Sequence, residues 1–151
     1  MTGLRKSPRR LRIGSERGSA SVEVAVIAPA LIALLGLMIA FGRVTDADGA
    51  VDAAAHAAAR AASLERDATG AQARARAAAE DSLHGDGVTC QSTDVVVDTS
   101  GYMLDVGQAA TVTATISCTA RLSDIALPGL PGAKTLTATF TSPIDTYRGR
   151  Q

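Results

Sequence analysis

An α+β fold built on an N-terminal transmembrane helix is predicted by three features of the sequence. Nineteen consecutive uncharged residues run from Val24 to Gly42, mostly Ala, Val, Leu and Ile. An Ala-rich stretch with helical periodicity follows over residues 43–84. From Val88 the apolar period changes from helical to two, the mark of strands with one dry and one wet face. The expected product is a transmembrane helix that continues into an Ala-rich helical region, then a small antiparallel sheet of three or four strands.

The chain opens with a basic leader, residues 1–18. Over residues 1–17, Arg5, Lys6, Arg9, Arg10, Arg12 and Arg17 stand against Glu16, a net charge of +5. The whole chain is neutral, so the other 134 residues carry −5. The leader has no aromatic residue and abuts the apolar run, so it reads as a topology signal rather than a grip on nucleic acid. Positive charge beside a membrane segment holds that end in the cytoplasm. The N-terminus is therefore expected inside and the region beyond Arg43 outside, in an oxidising compartment.

Residues 19–42 form the predicted membrane helix. Nineteen residues at helical rise cover roughly 28 Å, the thickness of a bilayer's hydrocarbon core. Glu23 is the anomaly, because an anchor has no use for an acid at its start. At the membrane boundary such a carboxylate reaches water. In a helix bundle it costs several kcal/mol unless paired. A cut after Gly18 would supply the partner, since Ser19 would gain a free, positively charged α-amine. That amine on one subunit can neutralise Glu23 of a neighbour and set the axial register of packed helices. Pro29 lacks an N–H, which removes one backbone bond near residue 25 and permits a kink.

Residues 43–84 are rich in strong helix formers. Val44, Val51, Ala55, Ala58 and Ala62 share one face, continued by Leu64, Ala68, Ala71, Ala75, Ala78 and Leu83. Gly70 either breaks this stretch into two helices or merely weakens one. Gly85 and Gly87, flanking Asp86, stop the helix. Asp46, Asp48 and Asp52 offer two readings, a cation site or a solvated helix start where negative charge suits the dipole; the second is preferred.

Residues 88–151 are the sheet region. ATVTATISCTA at 110–120 alternates without error, with Cys118 on the dry side. TLTATFT at 135–141 repeats the pattern with Leu136, Ala138 and Phe140 inward. TDVVVD at 93–98 is a shorter strand, and YMLDV at 102–106 is a candidate fourth after the turn Thr99-Ser100-Gly101. LPGLPG at 127–132 is a loop, since neither proline can donate to a ladder. Cys90 and Cys118 lie in the exported part, where two cysteines in a small domain usually pair; two buried free thiols are the alternative.

No catalytic residues emerge: there is no GxSxG, HExxH, phosphate-cradling Gly-rich loop or spaced carboxylate pair in a plausible cleft. His56 and His84 are isolated and no CxxC is present, so no metal site is expected. The chain reads as a non-enzyme without cofactor, small-molecule substrate or nucleic acid.

The stretch RGSASVEVAVIAPALIALLGLMIAFGR then acquires meaning. A Gly, a cut, and an acid at the fifth mature position before an apolar helix resembles type IV prepilins. Gly18, Val22, Glu23, Pro29, Phe41, Gly42 and Arg43 together resemble the TadE-like family (TadE/TadG), minor pilins or pseudopilins of the tight-adherence, Flp-type pilus machinery. Val24 departs from the pattern, which often has an aromatic residue after the Glu. The resemblance implies cleavage between Gly18 and Ser19 by a prepilin peptidase, association with other pilins through residues 19–42, and a role in assembling or anchoring a pilus used in adhesion. It implies a single-pass protein of the cytoplasmic membrane that enters a surface pilus. The alternative is a membrane-anchored or secreted small binding domain unrelated to pili.

Overall fold

The computed structural model describes residues 16–147 and 149, with side chains from Glu23 onward. Residues 1–15 of the basic leader lie outside the described residues. The chain divides into two units, Met1–Leu35 and Gly36–Gln151. The described part of the first is helical throughout, the N-terminal portion of α1 (Glu16–Ser63).

The second unit is α+β. It comprises α1 from Gly36, then α2 (Ala68–Gly85), β1 (Cys90–Asp98), a 3₁₀ turn (Ser100–Met103), β2 (Ala110–Arg121), the one-turn helix α3 (Leu122–Ile125) and β3 (Ala133–Ile144). The strands form a three-stranded antiparallel sheet in the order β1-β2-β3. Both helices contribute to a single core with the dry face of the sheet.

That core is made largely of alanine. From α1 it takes Ala47, Val51, Ala54, Ala55, Ala58, Ala59 and Ala62. From α2 it takes Ala71, Ala75, Ala79 and Leu83, spaced four apart. The sheet supplies Ala110, Val112, Ala114, Ile116, Cys118 and Ala120 of β2, with Leu136 and Ile144 of β3. Methyl side chains let helix and sheet backbones approach closely, and they lose no side-chain entropy on burial.

Longer side chains tie the layers together. The Tyr102 hydroxyl donates to the carbonyl of Ala62 at 2.5 Å in a buried position. Ser142 donates to the Ser63 hydroxyl at 3.1 Å, and Ser63 donates to the Arg60 carbonyl at 2.9 Å. His56 stacks on Phe140 with ring centroids 3.3 Å apart. Lys134 meets Asp48 at 3.5 Å on the surface.

The opposite face of the sheet is a hydroxyl ladder. Thr113 pairs with Thr141, Thr115 with Thr139, Ser117 with Thr137 and Thr119 with Thr135, at 2.9–3.1 Å. β-branched residues fit a pleated strand, and cross-strand Thr pairs add to its stability.

Several boundaries differ from the sequence reading. The helical region breaks at residues 64–67, not at Gly70. Asp67 is the N-cap of α2, and its carboxylate accepts from the Gly70 N–H at 2.7 Å, so Gly70 lies in the first turn. Leu64 falls past the end of α1 and is exposed, while Ala79 rather than Ala78 is buried, because α2 starts its own helical phase. The C-terminus of α2 is a Schellman motif. Gly87, at φ 71°, donates to the His84 carbonyl and Val88 to that of Leu83. Residues 102–106 are not a strand. Ser100–Met103 form the 3₁₀ turn, which buries Gly101 and Tyr102. Cys118 lies in the second of the three strands.

Candidate functional site

The exposed apolar segment of α1 is the feature that sets this chain apart. Val24, Val26, Ile27, Leu31, Ile32, Leu34, Leu35, Leu37, Met38, Ile39 and Phe41 are all exposed, from 48% to 70%. They cover every direction around the helix rather than one stripe. A helix apolar all round belongs in an apolar surrounding, either lipid or other helices. It is long and apolar enough to cross a membrane.

Gly18 and Ser19 fall in the first turn of α1, where only the helical backbone is described. Glu23 lies four residues beyond Ser19, about 6 Å along the axis. Its side chain is exposed and has no ion-pair partner among the described residues. A carboxylate at the lip of an apolar helix, without an ion-pair partner among the described residues, is available to a cation from elsewhere. Pro29 lies inside α1, and the helix runs through it.

The cysteines are joined. Cys90 of β1 and Cys118 of β2 form a disulfide with Cα atoms 5.4 Å apart. β1 meets β2 with Cys90 opposite Ala120 and Thr93 opposite Cys118, and the register shifts between Cys90 and Ser92. The bond thus links neighbouring strands where their ladder is irregular. Cys118 is fully buried.

The acids after the apolar run occupy a different setting from the one expected. Asp46, Asp48 and Asp52 sit deep inside α1, not at a helix start, so the dipole does not account for them. Asp48 pairs with Lys134. Asp46 lines a cleft, which it shares with Arg43, Asp86 and Asp124. That gathering joins three segments far apart in sequence and has no local signal. Among the described residues no three His, Cys, Asp or Glu side chains group closely enough to hold a metal ion. A separate acid, Asp98, stands at the end of β1. The backbone N–H of Ser100, helped by its hydroxyl, holds the Asp98 carboxyl below its ordinary value of 3.8.

No curated protein and no solved structure matches the chain. From Gly18 to Arg60, across Glu23, the whole apolar run and the start of the alanine stripe, the chain matches the family model described as TadE-like protein.

Proposed function

We propose that this protein is a pseudopilin or minor pilin that helps assemble or anchor a tight-adherence pilus. The TadE-like match suggests a pilin-like role associated with that system. The observation that carries the finer reading is the all-round exposed apolar helix with a carboxylate near its start that has no ion-pair partner among the described residues. In this reading the leader stays in the cytoplasm, a prepilin peptidase cuts after Gly18, and the folded unit lies outside. The new amine of Ser19 on one subunit pairs with Glu23 of another. Residues 19–42 then move from the lipid into a bundle of similar helices, where an unpaired charge costs several kcal/mol. The Ser19–Glu23 pair selects the register at which both charges are satisfied.

Two variants test this. Gly18→Trp blocks a small-residue cleavage site, so the chain should keep its leader and stay out of pili. Glu23→Ala should still be inserted and cut, with Ser19 as the N-terminus by mass spectrometry, yet its recovery in sheared pili should fall. Normal pilus entry by Glu23→Ala, together with cleavage of Gly18→Trp at the same bond, would refute both the pairing and the peptidase step.

A further inference from the structure

We propose that the loop LPGLPG, residues 127–132, is a second membrane contact of this chain, with its leucines seated in the interfacial layer of the bilayer. This contact rests on the membrane-spanning reading of residues 19–42. Within the Gly36–Gln151 unit, three contacts fix how the sheet lies along α1. Lys134 meets Asp48, Phe140 stacks on His56, and Ser142 bonds to Ser63. β3 therefore begins on the side of the apolar run and ends away from it. The β2–β3 ladder continues through Arg121 opposite Ala133 to the bond from the Leu122 N–H to the Gly132 carbonyl. Residues 123–131 turn beyond that end of the sheet. α3 lies there too, its Asp124 and Ile125 lining one cleft with Arg43, the residue that follows the apolar run. Asp48 is six residues past Gly42, about 9 Å along the helix. Headgroups add roughly 5–7 Å to each side of a bilayer's hydrocarbon core, so a loop that lies beyond Lys134 on this side meets them.

The composition and bonding of the loop suit that layer. Nine uncharged residues, Ile125 to Ala133, separate Asp124 from Lys134. Leu130 is 43% exposed, and Leu127 is half-buried. The two leucines flank a β-turn, in which the Leu130 N–H donates to the Leu127 carbonyl at 3.1 Å and Gly129 takes φ 85°. Unpaired backbone groups are what bar most loops from lipid, since they find no water there. Here Pro128 and Pro131 have no N–H to satisfy. The Leu130 N–H and the carbonyls of Leu127 and Gly132 are already bonded within the protein. The charges that bound the loop, Asp124 and Lys134, are exposed, and Lys134 pairs with Asp48. A folded unit held at two points, the helix and this loop, is fixed in its tilt on the membrane.

The chain has no tryptophan, so Leu130→Trp, at an exposed position outside the core, installs a single reporter in the full-length protein. It is reconstituted in vesicles of phosphatidylcholine and phosphatidylglycerol, with acyl chains either plain or brominated near the glycerol end. Phe41→Trp in the apolar run and Met103→Trp are the references. Met103 is 84% exposed and adjoins Tyr102, which bonds to Ala62. Ala62 lies twenty residues past Gly42, about 30 Å along α1. Leu130→Trp should emit at shorter wavelength than Met103→Trp and lose most of its emission in the brominated vesicles, as Phe41→Trp does. Met103→Trp should lose none. Water-like emission from Leu130→Trp, or blue-shifted emission that bromine leaves unquenched because protein covers the loop, would overturn the contact while Phe41→Trp remains quenched. Equal quenching of Met103→Trp would overturn it too, since a tryptophan would then enter lipid from either end of the unit. An unquenched Phe41→Trp would overturn the membrane-spanning reading, and the loop's contact with it.

Discussion

Removing the Cys90–Cys118 bond should destabilise the folded unit by an amount set mainly by the loop it closes. The cysteines are 28 residues apart in sequence. The chain-entropy relation gives roughly 3.6 kcal/mol for a loop of that size at 25 °C. A domain of this kind is held by about 5–15 kcal/mol in all, so the loss is a large fraction. At about 4 °C per kcal/mol, the melting temperature should drop by ~15 °C. Two perturbations separate the contributions. Reduction keeps both sulfurs in place and exposes the loop term. The double variant Cys90→Ala/Cys118→Ala also empties the space of a fully buried sulfur at residue 118, adding about 1 kcal/mol. Thermal unfolding of the detergent-solubilised chain, followed by circular dichroism with and without reductant, gives both numbers. The reasoning fails if reduction moves the transition by less than about 4 °C, because a closed loop of this length cannot then be what constrains the unfolded chain. It also fails if both thiols alkylate fully in the denatured, unreduced protein.

Three further outcomes are expected. Gly101→Ala should cost about 1–3 kcal/mol, because an added Cβ would run into the Thr111 carbonyl and press on Ile144; a shift in urea midpoint reads it. Tyr102→Phe removes one of the two hydrogen bonds accepted by the Ala62 carbonyl, which keeps that from the Glu65 N–H, and should cost about 0.5–1.5 kcal/mol in the same assay. The Asp98 carboxyl is held below 3.8 by Ser100, so its folded form is the depressed one. Its contribution is complete above the ordinary carboxylate value and is lost as pH falls through the lower folded value; Asp98→Asn should flatten that acid limb of the stability profile.

What could be read from the sequence was whatever a local pattern encodes. The alternation of ATVTATISCTA placed β2 nearly to the residue, because period two leaves one choice of face. The apolar run after Glu23 was legible for the same reason, since length and charge alone decide whether a helix suits a bilayer. The break in the helical region was misplaced because Gly70 looked like the weaker residue. The capping carboxylate of Asp67 decides instead, and its bond to the Gly70 N–H turns that glycine into part of a helix start. YMLDV read as a strand because Tyr, Leu and Val fit one. The long-range bond from Tyr102 to Ala62 outweighs that propensity and folds the segment into a 3₁₀ turn. The pairing proposed for Glu23 would involve a second molecule, and the cleft of Arg43 with Asp124 involves residues about eighty positions apart, so no window along one chain displays either.

The hydroxyl ladder makes the β2–β3 register self-checking. Its four rungs alternate with the buried residues of the same strands, and threonine is close to valine in shape. Sterically, a slip of one residue would be tolerable. Chemically, a slip of β3 against a fixed β2 would turn the β3 hydroxyls into the alanine core and leave Leu136 and Phe140 facing water. Each hydroxyl buried without a partner costs about 1–3 kcal/mol, so a one-step error is heavily penalised across the whole strand pair at once. A slip of two residues keeps the faces correct, and only the rungs at the ends are lost. On the other side of β2 the disulfide forbids even that, since Cys118 can reach Cys90 from one alignment of β1. Oxidation therefore proofreads the strand pair in which the hydroxyl ladder has no part.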